Sequence, residues 1–117
     1  MELAMKNAYF RFMTLLSKLD DGHPIQGVDA QARQLLDAIA LHHHLGTPLT
    51  VTTAMALNSI ASPATIHRKL EDLKSKGLVR SEFHEGNMRT KYLVPSRLAN
   101  QRYDRLHREM HKSLRSS

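Results

Sequence analysis

Cysteine is absent from the 117 residues of this chain. Its absence excludes disulfide cross-links, thiol nucleophiles and zinc sites built on cysteine ligands. Long apolar runs are missing too, so no segment has the pattern of a membrane span. The apolar stretch at the start is interrupted by Glu2, Lys6 and Arg11, which argues against a secretory signal. We therefore expect a cytoplasmic protein with no membrane partner.

Motifs typical of enzymes are also scarce. The chain has no glycine-rich phosphate loop, and its acidic pairs, Asp20-Asp21 and Glu71-Asp72, are sequence neighbours whose side chains diverge. These absences predict that the protein is not an enzyme and carries no cofactor.

Histidine is frequent, with eight residues, but its spacing does not predict a metal site. His42, His43 and His44 are adjacent, and adjacent residues of a regular helix point in different directions, so they cannot ligate one ion. His107 and His111 are four residues apart and could chelate a metal weakly. Basic residues flank them, however, and we expect that face of the helix to be solvated. We predict no metal.

Positive charge is concentrated in the second half of the chain. The formal net charge is +6, yet residues 1–50 contain four Lys/Arg and five Asp/Glu, so residues 51–117 carry a net charge of +7. Such a concentration indicates either a polyanion partner, usually nucleic acid, or solubilising charge. We favour a solvated face over extra phosphate contacts for the six basic residues of the last helix: Arg97, Arg102, Arg105, Arg108, Lys112 and Arg115.

Apolar residues recur at helical spacing at both ends of the chain. The first helix has a stripe formed by Met5, Tyr9, Phe12, Leu16 and Leu19, widened by Phe10, Met13 and Leu15. The segment 20–24 ends it, and Asp29 is a predicted cap for a second helix that ends at 46–48. The stripe of the last helix, capped by Ser96, comprises Ala99, Tyr103, Leu106, Met110 and Leu114.

The middle of the chain predicts two helices followed by a hairpin. Leu49 begins a short extended piece, Thr50 caps a helix running to about Leu57, and a tight connection follows at 58–61. Ser62 and Pro63 then open a helix that ends before Gly77. Its core-facing residues are Ile66, Leu70 and Leu73. The period then changes to two over 78–84 and 89–94, with a turn at 85–88, which indicates a β-hairpin.

This order of elements is that of a winged helix-turn-helix. The segments SPATIHRKLEDLKSKGLV (62–79) and RTKYLVP (89–95) resemble the winged-helix transcription regulators of bacteria, most nearly the MarR-like group. The matching stretch, 49–94, covers somewhat under half of the chain. The resemblance implies that the helix at 62–76 reads the major groove of DNA with the hairpin as a wing beside it, and that the terminal helices form a dimer.

The exposed face of the helix at 62–76 supplies the candidate DNA contacts. Helical geometry turns Ala64, Arg68, Glu71 and Ser75 away from the core. Arg68 is the first candidate for a base contact, since its guanidinium can pair bidentately with guanine. The hairpin can contact phosphates or the minor groove. The full set of predicted DNA-binding residues is Ser62, Pro63, Ala64, Thr65, His67, Arg68, Lys69, Asn87, Arg89 and Lys91.

The terminal helices carry more apolar surface than one small domain can bury, which predicts a homodimer. The predicted dimerisation residues are Met5, Tyr9, Phe12, Leu16, Leu19, Tyr103, Leu106 and Met110. We expect a single, mainly α domain with a small β-hairpin wing. Within it, 1–46 supply dimerisation and support, 47–95 form the winged helix-turn-helix, and 96–117 form a dimerisation helix with a basic tail.

These observations predict a homodimeric, nucleoid-associated regulator that binds double-stranded DNA at a roughly palindromic operator. One alternative is an adaptor that uses the winged helix to bind proteins rather than DNA. Another is a repressor that senses a small-molecule effector or a metal, which the sequence allows but does not indicate.

Overall fold

The computed structural model describes the backbone of residues 2–84 and 86–115 and the side chains of residues 7–84 and 86–115. Within these ranges, helices make up most of the chain, and the strands form one two-stranded antiparallel sheet. The predicted fold class is confirmed. The elements are α1 (Glu2–Leu19), a 3-10 turn (Pro24–Gly27), α2 (Ala30–His44), α3 (Val51–Met55), α4 (Pro63–Ser75), β1 (Val79–His84), β2 (Asn87–Pro95) and α5 (Arg97–Arg115).

The helices begin at the capping residues that the sequence predicts. Asp29, Thr50, Ser62 and Ser96 each accept a hydrogen bond from a backbone N–H three residues later in the chain. After α4, Gly77 has a φ of +72°, in the left-handed region that favours glycine, and turns the chain into β1. The sequence predicts that α3 runs to about Leu57, but this helix ends at Met55.

One hydrophobic core lies between α2, α3, α4 and the base of the hairpin. The predicted inward face of α4 is confirmed, since Ile66, Leu70 and Leu73 are at most 1% exposed. Burying these side chains fixes which face of α4 remains in water. They pack in one cluster with Ala32, Leu35, Leu36 and Ile39 of α2 and with Leu78, Val79 and Leu93 around the sheet.

The hairpin is buried at its base and exposed towards its tip. Val79 pairs with Pro95 at the base, and Phe83 pairs with Lys91 near the tip. Leu93 shares the strand face of Lys91 but is fully buried, and its N–H donates to the carbonyl of Leu49 at 2.7 Å. The turn between the strands is shorter than the predicted 85–88, because β2 begins at residue 87. Residue 85 lies outside the described residues.

Helices α1 and α5 pack along each other and form what we call the arm. The Cα radius of gyration is 16.0 Å, larger than the roughly 13 Å expected of a compact domain of this length. The molecule is accordingly elongated, with extents of 50 × 30 × 27 Å. Among the described helices, none is long and apolar enough to cross a membrane.

Candidate nucleic-acid interface

The N-terminal half of α4 presents a continuous exposed surface. Ser62, Pro63, Ala64, His67 and Arg68 are exposed, and Thr65 is half-buried. Pro63 has no N–H, and the N–H groups of Thr65 and Ile66 donate to Ser62, so in the first turn the N–H of Ala64 is the one that can contact an anion such as a phosphate. Farther along α4, the predicted outward residues Glu71 and Ser75 are exposed as well.

The hydroxyl of Thr65 connects the helix cap with Arg68. Ser62 Oγ donates to Thr65 Oγ1 at 3.0 Å, and Arg68 Nη2 donates to the same oxygen at 3.2 Å. One edge of the guanidinium is thereby held beside the first turn of α4, while the Arg68 side chain as a whole is exposed. The sequence pattern places these residues on one face but does not reveal this connection.

Lys69 lies on the side of α4 that faces the start of α2. Its ammonium forms an ion pair with Asp29 Oδ2 at 2.5 Å. The hydrogen bond from Lys69, together with the bond from the Ala32 N–H, lowers the pKa of Asp29 below its usual value. The charge of Lys69 is therefore already partnered within the protein, and its role at DNA stays a prediction.

The wing carries two basic side chains near its tip. Asn87 Oδ1 accepts a hydrogen bond from the N–H of Arg89 at 3.0 Å, which orders the start of β2. The Arg89 side chain is exposed. The Lys91 ammonium lies 5.4 Å from the centre of the Phe83 ring on the opposite strand, a cation–π arrangement. Both positive charges remain accessible to a partner.

Ion pairing separates the basic residues of this region into two groups. Lys69, Lys74, Lys76 and Arg80 are each paired with a carboxylate of the chain. In the described part of the protein, Arg68, Arg89 and Lys91 form no ion pair. A polyanion that meets these three residues displaces no carboxylate of the described residues.

The predicted dimerisation residues divide into exposed and buried ones. Tyr9 and Met110 are exposed, whereas Phe12, Leu16 and Leu106 are half-buried. Leu19 is buried within the chain. The side chain of Met5 lies outside the described residues. The apolar cavity of about 330 Å³ on the arm is lined by Ala8, Tyr9, Phe12, Met110, Ser113 and Leu114.

Tyr103, another predicted dimerisation residue, is tied to α2 of its own chain. Its hydroxyl donates to Asp37 Oδ1 at 2.6 Å. Burial raises the pKa of Tyr103 far above its usual value, and the hydrogen bond to Asp37 and the charge of that carboxylate add to the effect. Leu19 and Tyr103 thus stabilise the protomer, and their part in a dimer stays a prediction.

A buried ion pair between α5 and the residue that directly follows α1 was not predicted from the sequence. Arg102 Nε donates to Asp20 Oδ1 at 2.8 Å and Nη2 donates to Oδ2 at 3.1 Å, with Arg33 Nη1 at 3.8 Å from the same carboxylate. Burial acts to lower the pKa of Arg102, but the hydrogen bonds and charge of Asp20, together with Tyr103 and Asp37, outweigh burial and raise this pKa. The solvated face that we favoured is therefore wrong for Arg102. Its spacing from Ala99 and Leu106 places it on the apolar stripe, which is the signal that could have found it.

The histidines do not converge on one another. Within the described ranges, no group of three or more His, Asp or Glu side chains is arranged to hold a metal ion. The rings of His107 and His111 lie 6.3 Å apart on α5.

Solved structures share this architecture over nearly the whole chain. A variant of S. aureus MepR bound to an oligodeoxyribonucleotide superposes with a TM-score of 0.58 at 13% identity, covering 99% of this chain and 82% of that one. RV1404 from Mycobacterium tuberculosis gives 0.56 at 13% identity, with coverages of 96% and 75%. The transcriptional regulator PA4135 gives 0.54 at 14% identity, with coverages of 99% and 79%.

The fold is a MarR-like winged helix. The resemblance noted in the sequence is thereby confirmed for the fold. In this MarR-like winged helix, α3 and α4 form the helix-turn-helix pair, and β1 and β2 form the wing. No protein-family profile matches the chain, and no curated protein matches it.

Proposed function

We propose that this chain is a transcriptional regulator that binds double-stranded DNA sequence-specifically, without enzymatic activity. One observation carries the proposal: Arg68, Arg89 and Lys91 are exposed, form no ion pair with the other described residues, and are located on α4 and the wing. The similarity in fold to a MepR variant bound to an oligodeoxyribonucleotide supports the same function.

Helix α4 and the wing have different roles in this proposal. Helix α4 enters the major groove with its N-terminal turn leading, and Arg68 pairs with a guanine edge. The N-terminal turn of α4 and the basic residues of the wing contact phosphates, which supply most of the affinity but no sequence information. Specificity then comes from a few side chains on α4.

Replacing Arg68 by Ala tests the assigned base contact. We expect a loss of about 1–3 kcal/mol on the preferred site, found by selection from random oligonucleotides, and a relaxed base choice at one position. Arg97→Ala is the matched control, because Arg97 is an exposed arginine on α5. Equal weakening on specific and random DNA would instead make Arg68 a phosphate contact. A wild-type protein that binds no duplex at moderate salt would favour the adaptor.

The wing is tested by neutralising Arg89 and Lys91 together with Gln. Binding should weaken on all sequences, and the slope of log affinity against log salt should flatten by up to about two units. Arg80→Gln is the control, since Arg80 is paired with Glu82 at 3.1 Å. An unchanged slope in the double variant would show that the wing does not touch the DNA backbone.

We further propose that the chain acts as a homodimer on a roughly palindromic operator. The arm exposes five large apolar side chains, with exposures from 46% to 65%: Tyr9, Phe10, Met13, Met110 and Leu114. A two-fold interface through both arms covers this surface and places two reading heads roughly 34 Å apart, one turn of DNA. Linking two half-sites raises the overall affinity far above that of either one.

Tyr9→Glu tests the dimer without disturbing the core, because Tyr9 is 61% exposed. A buried charge should abolish the interface, and operator binding should fall with it. Leu45→Glu is the control, since Leu45 is 63% exposed and lies outside the arm. Sedimentation at micromolar concentration measures the result. A wild-type protein that sediments as a monomer there would refute the dimer.

A further inference from the structure

The Arg68 side chain has hydrogen-bond acceptors in both directions along α4, because residues three and four positions apart lie on the same face of a helix. Towards the N-terminus it has the hydroxyl of Thr65, and towards the C-terminus it has the carboxylates of Glu71 and Asp72. The guanidinium lies on the Thr65 side, with Nη2 at 3.2 Å from Oγ1. This is the end of α4 that leads into the major groove in the function proposed above.

Lysines one turn farther along α4 bind the two carboxylates. Lys76 Nζ donates to both carboxylate oxygens of Asp72 at 2.8 Å. Lys74 Nζ lies 3.9 Å from Glu71 Oε1. An ion pair with either carboxylate would neutralise Arg68 and turn it away from the N-terminal turn. The two lysines therefore weaken the attraction that competes with Thr65 for the guanidinium.

The Thr65 hydroxyl oxygen is itself held in place. In a helix, threonine divides between two χ1 rotamers. Ser62 Oγ donates to Thr65 Oγ1 at 3.0 Å and so favours the rotamer that places this oxygen beside the helix cap. The Thr65 N–H donates back to Ser62 Oγ at 3.4 Å, and the Thr65 side chain is half-buried. The guanidinium has further N–H donors, which stay available for a bidentate pair with a base.

We infer that Thr65 is a positioning residue, which holds the guanidinium of Arg68 in place before DNA binds and thereby limits it to one base. The inference rests on the proposed DNA binding. A long side chain that is already ordered loses less conformational entropy when it contacts a partner. Holding Nη2 also restricts the base positions that Arg68 reaches. Thr65 thus contributes to specificity through Arg68, without a base contact of its own.

The first test measures the order of Arg68 in the free protein by NMR relaxation of the arginine Nε–H groups. We expect a higher order parameter for Arg68 than for Arg97, which is exposed on α5. Thr65→Val keeps the branched shape but removes the hydroxyl, and it should lower the Arg68 value to that of Arg97. Thr65→Ser keeps the hydroxyl and should restore it. Equal values for Arg68 and Arg97 in the wild type would overturn the inference.

The second test is a double-mutant cycle on the preferred DNA site. Thr65→Val should weaken binding about 2- to 10-fold and relax the base choice at the position that Arg68 reads. It should have no further effect in an Arg68→Ala background. Thr47→Val is the control, because Thr47 is an exposed threonine outside α3, α4 and the wing.

Equal losses from Thr65→Val in both backgrounds would show that Thr65 contacts DNA itself, and would overturn the inference while leaving the proposed function in place. A wild-type protein that binds no duplex would overturn both. Loss of the effect in the Arg68→Ala background, together with rescue by Thr65→Ser, is the result that supports positioning.

Discussion

Replacing Asp20 by Asn removes the carboxylate that holds the buried guanidinium of Arg102. The side chains of Asp20 and Arg102 are each 9% exposed, and their two hydrogen bonds span 2.8 and 3.1 Å. Asn keeps the size of the side chain but offers a single acceptor oxygen and turns an amide NH₂ towards the guanidinium donors. Arg102 is then left as a buried charge without a counterion.

The expected loss of stability is large because little solvent reaches this pair. Removing one partner of a buried ion pair costs about 3–5 kcal/mol. A domain of this length has a total unfolding free energy of about 6–18 kcal/mol. With an unfolding entropy near 2.1 cal/mol/K per residue, the loss corresponds to a decrease in Tm of about 12–20 °C.

Urea unfolding followed by circular dichroism measures the effect. Asp21→Asn is the matched control, because Asp21 is an exposed neighbour and should change stability by less than about 0.5 kcal/mol. A double variant, Asp20→Leu with Arg102→Met, should recover much of the loss, since it removes both buried charges. If Asp20→Asn cost less than about 1 kcal/mol, the ion pair would not be a main link between α5 and the end of α1.

Three further predictions concern single groups. Since the pKa of Tyr103 is raised in the folded state, only the unfolded chain ionises this residue above about pH 10. Stability should therefore fall there with a slope of up to about 1.4 kcal/mol per pH unit, and Tyr103→Phe should remove that slope in urea titrations. Ser62→Ala should cost about 1 kcal/mol in the same assay through loss of the α4 cap, and no change would refute the cap. Gly77→Ala should cost about 1–2 kcal/mol because φ is +72° there, and a neutral result would contradict that conformation.

Local signals in the sequence predicted the elements well. A capping side chain and the apolar stripe behind it lie within one or two helical turns, so both can be recognised without knowing the fold. Ser62 with Ile66, Leu70 and Leu73 is the clearest case, and the cap and the stripe are both confirmed. The boundaries of the elements were predicted less accurately, because α3 is shorter than predicted and β2 begins earlier than predicted.

Solvent exposure was harder to predict than periodicity. Alternation placed Leu93 with Lys91 on one face of β2, yet Leu93 is fully buried and Lys91 is exposed. The same strand face lies on the core at its base and extends into water at its tip. The point along a strand where side chains change from buried to exposed depends on which elements pack against the strand. The sequence of the strand does not contain that information.

The sequence by itself determined the helices, their caps, the hairpin and the outward direction of Arg68, because each depends on neighbours within a few residues. Only the tertiary structure decided which basic side chains form ion pairs. Lys69 is paired with Asp29 across 40 positions, and Arg102 is paired with Asp20 across 82. Such pairs form between residues that the packing of whole helices brings together. The fold therefore decides which Lys and Arg side chains are paired within the protein and which are accessible to a partner. The proposed DNA interface rests on this distinction.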